Sequence, residues 1–485
     1  MINWTKCFPV FDVSGGCHLF YILAIFSVTT RAAPQKVFVS GGPHVDNSTL
    51  DIVPPYIGHH LGQDSPYFPA DNYIRGPDEC TLRQVNMIYR HGARFPTERV
   101  GRELQQTLAK LKAADKFASP DFEFLRNYTY SFGEYTLLPY GAKEHTLAGA
   151  VAFERYGHLV FNNTTRIPPF IRATDASRVM DSAGNWSAGF IDASPSTIEF
   201  TPPLIIPRTP EFNNTLDNHN CPAITKTIAV KAQASYSSTF IPPITSRLNS
   251  LAPGAALTDV DTVHLFRFCA FDSVVIEATS PFCRLFSKDE FRAYEYYQDL
   301  GKYYFTGYGN PLGPVQGIGY VNELLARLTS TPVNTLIDSN INRTLDGSHA
   351  TFPLDRTLYV DFSHDNQITA IVSAMGLHKP GEDLPTSHPV KDSPWVYSRI
   401  APFAGRLVVE KYSCPGSVLS TGDGRDTLKD GEWVRILNSD VVLPQPGCSR
   451  WWAAAGLCEL GAFVESQAFS RNTEAVDAWA KCFAM

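Results

Sequence analysis

An α/β fold, in which a sheet-containing domain flanked by helices carries a smaller, mainly α-helical inserted domain, is what the 485-residue sequence predicts. Three observations predict it. A strand, a loop and a helix follow one another over residues 83–116, a second strand-to-helix junction lies over 357–376, and the stretch between them holds helical periodicity broken by prolines. At about 150 residues per domain the length suits two to three domains, or one large domain with an insertion. The boundaries expected are a leader over 1–33, an N-terminal arm over 34–80, an α/β domain from 81–120 and 300–485, and a largely helical insertion over 121–299 that includes the Arg172 segment.

In chain order, the apolar run Leu19 to Val28, followed by Thr29, Thr30, Arg31, Ala32 and Ala33, has the form of a secretory leader cleaved near Ala33. At roughly ten residues the run is too short to span a bilayer. No second apolar run reaches membrane length, so no membrane segment is expected after cleavage. Loss of Cys7 and Cys17 with the leader leaves Cys80, Cys221, Cys269, Cys283, Cys414, Cys448, Cys458 and Cys482. Their even number and the lack of any CxxC pair suit disulfides rather than zinc or thioredoxin-like chemistry. N-x-S/T sequons begin at Asn47, Asn127, Asn162, Asn163, Asn185, Asn213 and Asn342, and with the leader they point to a glycosylated, secreted protein.

Composition excludes other classes. With 44% hydrophobic and 18% charged residues the chain is neither disordered nor collagen-like. A net charge of -7, from 41 Lys+Arg against 48 Asp+Glu, argues against a nucleic-acid binder. In acid, protonation of the 13 histidines carries the charge to about +6, which favours polyanionic ligands.

Residues 34–80, rich in Pro, Gly and Asp, predict an arm that wraps the domain and leads to Cys80. Arg83 to Tyr89 alternates enough apolar residues for a strand, and Arg90 to Thr97 (RHGARFPT) breaks it with Gly92 and Pro96. Leu104, Leu108 and Leu111 recur at helical spacing between Glu98 and about Lys116. The insertion is dense in prolines, among them Pro202, Pro203, Pro207, Pro210, Pro242 and Pro243. Val315 to Thr329 places Ile318, Val321, Leu324, Leu325 and Leu328 on one helical face; Gly307, Gly309 and Gly313 before it are turn glycines rather than a dinucleotide motif. Thr357 to Phe362 is a buried strand, Ser363 an N-cap, and His364 onward a helix ending at Gly376.

Two of these junctions hold residues suited to chemistry. Arg90, His91, Gly92 and Arg94 put two guanidiniums and an imidazole beyond a strand's C-terminal end, where open α/β sheets bind ligands. Arginine forks match phosphate oxygens, and neutral imidazole is a nucleophile toward phosphorus. Gly92 is expected to let the backbone bend. A surface basic cluster paired with acids would also account for this spacing. His364 and Asp365 open a helix, where anions are favoured and a carboxyl of raised pKa can protonate a leaving oxygen, although helix capping alone would explain Asp365. Arg172, after the apolar run Ile167 to Ile171, is a third, weaker cation.

RHGARFPT (90–97) with FSHDNQI (362–368) resembles the histidine acid phosphatases, and within them the secreted fungal phytases. The likeness runs from about Ser65 to the C-terminus and takes in FIRATDASRV (170–179), GKYYFTGYGNPLGPVQGIGY (301–320) and GAFVESQAFSR (461–471). It implies the histidine phosphatase superfamily fold, with substrate between the two domains. It further implies His91 as the nucleophile that forms a phosphohistidine, Asp365 as proton donor, and Arg90, Arg94, Arg172 and His364 as phosphoryl-binding groups. Lys302 matches a lysine that contacts outer substrate phosphates, while Gly301 stands where some relatives carry another lysine and Gln367 where a glycine is common. The implied disulfides are Cys80–Cys414, Cys221–Cys482, Cys269–Cys283 and Cys448–Cys458.

The function expected is therefore a secreted, extracellular acid phosphomonoesterase that converts phytate (myo-inositol hexakisphosphate) stepwise to lower inositol phosphates. It is expected to act as a monomer, without metal, cofactor or nucleic-acid partner. A broad acid phosphatase acting on smaller esters is the alternative within the same chemistry. A catalytically inactive secreted glycoprotein is the alternative from another class; the retention of His91 and Asp365 disfavours it.

Overall fold

A computed structural model describes residues 50–161, 166–195, 198–209, 211–334, 336–337, 339–415 and 430–484. The expected leader and the sequons at Asn47, Asn162 and Asn163 lie outside them. The strands are β1 (Thr81–Arg90), β2 (Phe170–Thr174), β3 (Leu204–Ile206), β4 (Leu358–Ser363), β5 (Arg406–Cys414), β6 (Gly431–Asn438), β7 (Val441–Val442), β8 (Trp451–Trp452) and β9 (Leu457–Glu459). The helices of eight residues or more are α1 (Glu98–Lys112), α2 (Pro139–Tyr156), α3 (Ser177–Asp192), α4 (Thr227–Leu251), α5 (Asp259–Ile276), α6 (Lys288–Tyr303), α7 (Ile318–Thr329), α8 (Asp365–Ala374) and α9 (Thr473–Ala480).

All nine strands form one mixed sheet in the order β3-β2-β4-β1-β5-β6-β9-β8, with β7 on β6. β1 and β4 are parallel at its centre, β2 and β3 extend the parallel half, and β5 opens the antiparallel half. Covered on both faces, the last seven residues of β1 are all buried, so the strict alternation of a half-exposed strand is lost. Its side chains still divide by parity. Val85, Met87 and Tyr89 pack with Val360, Phe362, Trp186 and Phe190 under α3, whereas Ile88 packs with Leu324, Ile368 and Ile371 under α7 and α8. Each such side chain, fully buried, contributes about 1.5–3 kcal/mol.

A third core lies among helices: Val100, Leu104, Leu108 and Leu111 of α1 meet Leu248 of α4, Phe266 and Phe268 of α5, and Phe291 and Tyr294 of α6. The span 121–299 is largely helical but not helical throughout. It contributes β2 and β3 to the sheet and α3 to its face, while α1, from outside that span, joins the helical cluster. Strands of five and three residues are too short to show a period, and the charged Arg172 interrupts the first.

The four expected disulfides are present, with Cys80–Cys414 tying the end of the arm to β5 and Cys221–Cys482 tying the segment before α4 to the C-terminus. The described part of the arm is anchored by backbone contacts. Gly62 N–H donates to Glu295 Oε2 (2.9 Å), Tyr67 N–H to Glu144 Oε1 (2.9 Å) and Phe403 N–H to the Ser65 carbonyl (3.0 Å). Among the described residues, no helix is long and apolar enough to cross a membrane.

Candidate active site

Because β1 and β4 are parallel neighbours with Arg90 opposite Ser363, the segments that follow them leave the sheet at the same edge, side by side. The His91 N–H donates to the Ser363 carbonyl at 3.1 Å, and the two imidazoles of His91 and His364 lie 5.4 Å apart, edge to face. Two stretches distant in sequence thus meet at one point.

His91 is buried, and its Nδ1 lies 2.8 Å from the Gly92 carbonyl oxygen. A carbonyl only accepts, so Nδ1 carries the proton and Nε2 keeps its lone pair. Burial, followed by the charges of Arg90 and Arg178, holds the His91 pKa well below that of ordinary imidazole. The loop is held by α2 and α3. Gly92 N–H donates to Ser182 Oγ (3.1 Å), Ala93 N–H to Glu144 Oε2 (2.7 Å), and His145 Nε2 lies 3.0 Å from the Arg90 carbonyl. Gly92 is needed for close approach rather than for bending, since a Cβ there would lie 2.3 Å from the Gly141 carbonyl oxygen.

Three guanidiniums converge here. Arg90, stacked 4.4 Å from the Phe403 ring, donates from Nη1 to the Ala401 carbonyl (2.9 Å). Arg94 donates to the Phe95 carbonyl (2.7 Å), and Arg178, in the first turn of α3, reaches within 3.4 Å of His364 Nδ1. Burial, then the charges of Arg178 and Arg90, lowers the Arg94 pKa to about 9; burial and Arg208 lower that of Arg178 to about 10. Both remain charged in acid; burial is the larger cause of each shift, and the repulsion of neighbouring guanidiniums adds to it. His364 is kept neutral, its pKa near 3, by burial and by Arg178. Its Nε2 lies 3.7 Å from Asp217 Oδ2, a buried carboxylate absent from the expectations above.

Asp365 is the first residue of α8, and Oδ2 lies 2.6 Å from Lys302 Nζ and 3.7 Å from Arg90 Nη2. Burial alone would raise its pKa, but Lys302 and Arg90 outweigh that and hold it well below the usual carboxylate range. Lys302 also contacts Asn366 Oδ1 at 2.7 Å, and burial brings its own pKa down to about 8. His364, not Ser363, takes the N-cap position, and the Ser363 hydroxyl turns away to the Leu216 carbonyl (2.6 Å).

His91, His364, Asp365, Arg90, Arg94 and Lys302 are thus brought together. Arg172 is not. It sits within β2, opposite Asp361 of β4, and is neutralised by Asp361 (2.7 Å) and Glu323 (2.6 Å). The third guanidinium at the site is Arg178, which lies beyond the end of β2 in the helix that follows. The strand-loop-helix reasoning used at RHGARFPT, applied to FIRATDASRV, would have found it.

The site is thus an imidazole with a free Nε2, three guanidiniums, a carboxylate 3.7 Å from one of them, and a lysine on that carboxylate. It is built to receive a compact dianion. Fungal relatives called Phytase A cover most of the chain. The one from Neurospora crassa is 35% identical over 475 residues, 88% of this chain and 92% of its own; that from Penicillium oxalicum is 34% identical over 483 residues, 94% and 99%. The crystal structure of the phytase from D. castellii matches the fold with a TM-score of 0.69 at 24% identity, over 87% of this chain and 88% of that one. A multiple inositol polyphosphate phosphatase from Bifidobacterium longum, in complex with phosphate, matches with a TM-score of 0.60 at 13% identity, over 87% and 99%. The family model of the histidine phosphatase superfamily, branch 2, matches residues 81–439, and the chain belongs to that family.

Proposed function

We propose that this protein hydrolyses phosphate monoesters, with phytate as its substrate, through a phosphohistidine on His91. The observation that carries the reading is the free Nε2 of His91 amid Arg90, Arg94 and Arg178, with Asp365 beside them. Nε2 attacks phosphorus while the bond from phosphorus to the ester oxygen breaks. Arg90, Arg94, Arg178 and His364 answer the charge on the non-bridging oxygens, and Asp365 gives its proton to the departing alkoxide. Water then attacks the phosphohistidine. Its proton passes to Asp365, the phosphorus–nitrogen bond breaks, and phosphate leaves.

At rest Asp365 is held as a carboxylate by Lys302 and Arg90. The phosphates of the bound ester compete for both cations, and as Arg90 and Lys302 turn to them the carboxyl's proton affinity rises into the range of a donor. His91 needs the opposite state, and its depressed pKa keeps Nε2 free in acid. The full-length likeness to enzymes called Phytase A supports phytate, and the four disulfides support secretion to an oxidising exterior.

Mixing the protein with radiolabelled ester and quenching in alkali, where phosphorus–nitrogen bonds persist, is expected to leave label on the His91 peptide and none on His91→Ala. Normal turnover by that variant would overturn the covalent route. Initial rates on phytate and p-nitrophenyl phosphate at acid pH test the substrate: rapid aryl turnover with little phytate hydrolysis would favour the broad acid phosphatase instead.

A further inference from the structure

Asp365 marks the side on which the leaving alcohol departs, and with it the side on which any remaining phosphates of a larger substrate lie. The cation on that side is Lys302, 2.6 Å from Asp365. Phe305 follows one turn later, its N–H donating to the Lys302 carbonyl at 3.3 Å. Above the Phe305 ring, 5.1 Å from its centroid, stands the ammonium of Lys226, an exposed residue. Its charge is among those that lower the Lys302 pKa. The ammonium of Lys226 therefore stands over the ring three residues beyond Lys302, within electrostatic reach of it.

Helix stability does not explain Lys226. It occupies the N-cap of α4, where its side chain cannot accept a backbone N–H, and the first turn of the helix contains no acidic residue to offset it. A cation at the positive end of the helix dipole is unfavourable. A residue that breaks the local rule with no structural gain points to a role elsewhere. Further along α4, Gln233 donates to the Tyr297 carbonyl (3.0 Å), and its Nε2 would lie 2.5 Å from a Cβ at Gly301.

We propose that Lys226 is a specificity-determining residue that, together with Lys302, holds a second phosphate of a substrate whose first phosphate lies at His91. The site then prefers a ring carrying several phosphates over a simple monoester. A bridging anion relieves the repulsion between the two ammonium groups, and the cation–π contact with Phe305 keeps Lys226 in place without neutralising it. The inference deepens the phytate reading and rests on it.

The test uses myo-inositol hexasulfate, a polyanion that carries no phosphate to transfer, as a competitive inhibitor of p-nitrophenyl phosphate hydrolysis by the full chain. Lys226→Ala is expected to raise Ki roughly two- to five-fold, and Lys226→Glu further, while Lys226→Arg restores it. The rise in Ki exceeds any rise in the aryl ester's KM and fades as salt is added. Lys226→Glu is expected to melt no lower than the wild type, because an acid suits a helix N-terminus, so lost affinity is not misfolding. An unchanged Ki, or equal changes in Ki and aryl KM, would overturn the proposal. Phytate turnover by the wild type is measured separately, so failure of the phytate reading and failure of the Lys226 role give different results.

Discussion

Two groups of buried and half-buried arginines occupy neighbouring strands of one sheet and the helices beside them, and they differ in how their charge is answered. Arg172 and Arg327 share Asp361, Glu323 takes the other edge of Arg172, and Asp361 is held near a pKa of about 2 against the upward pull of its burial. Arg90, Arg94 and Arg178 gather at the sheet's edge with Asp365 3.7 Å from Arg90, and although Asp64 and Asp217 also act on them, burial and mutual repulsion outweigh these acids and the pKa values of Arg94 and Arg178 fall. The first group is closed and structural. The second carries surplus positive charge that a phosphate would neutralise. A buried arginine marks a ligand site only where the protein itself supplies too little negative charge.

The comparison predicts opposite losses at matched positions, and the carboxylates give the largest contrast. Asp365→Asn is expected to slow alkyl phosphates by up to about 10⁴-fold and p-nitrophenyl phosphate much less, since an activated phenolate needs little protonation. Asp361→Asn, by contrast, is expected to lower stability by about 3–5 kcal/mol in denaturant unfolding, because it removes the carboxylate paired with Arg327 and leaves Arg172 with Glu323 alone. Equal losses on both esters in Asp365→Asn would remove its role as acid.

The arginines follow. Arg178→Ala is expected to cost about 10²-fold or more in kcat/KM with little change in Tm, as one stabilising donor is lost and one repulsion relieved. Arg172→Ala is expected to unfold at lower denaturant, with the catalytic loss confined to the unfolded fraction. A folded, stable and inactive Arg172→Ala would merge the two groups and break the distinction drawn here.

The smallest effect is on pH. Burial raises the Glu144 pKa to about 7, so its contribution to stability is full below the unfolded value near 4.5 and is lost as pH rises through 7. Asp361, depressed to about 2, contributes fully above about 4 and loses its contribution only as pH falls toward 2. Together they place maximal stability in mild acid. Thermal melts are expected to fall by a few degrees between about pH 5 and 8, and Glu144→Gln is expected to flatten that limb. A wild-type Tm that rises toward neutrality would contradict the assignment.

The residues brought together at the site were largely legible because a strand followed by a loop leaves a local signal. RHGARFPT and FSHDNQI each lie at a strand's C-terminal end, and their positions needed only the period of the preceding residues. The third arginine was not legible in this way. Arg172 and Arg178 are six residues apart, and linear spacing does not reveal where a five-residue strand stops or which side chain meets an acid from elsewhere. Asp217 was missed for the same reason: a lone aspartate in a loop becomes significant only when His364 stands 3.7 Å away. That the span 121–299 also supplies β2 and β3 to the sheet was not legible, because strands of five and three residues are too short to show a period.

By itself the sequence determined which chemistry is available: an imidazole between two arginines, a carboxyl at a helix start, and cysteines suited to crosslinks. These are local properties, set by residue type and by periods of a few residues. The tertiary structure alone decided which cations stay uncompensated, because compensation depends on acids contributed by other strands and helices. The pairing of β2 with β4 closes Arg172 onto Asp361, and the parallel register of β1 with β4 leaves His91 open beside Asp365.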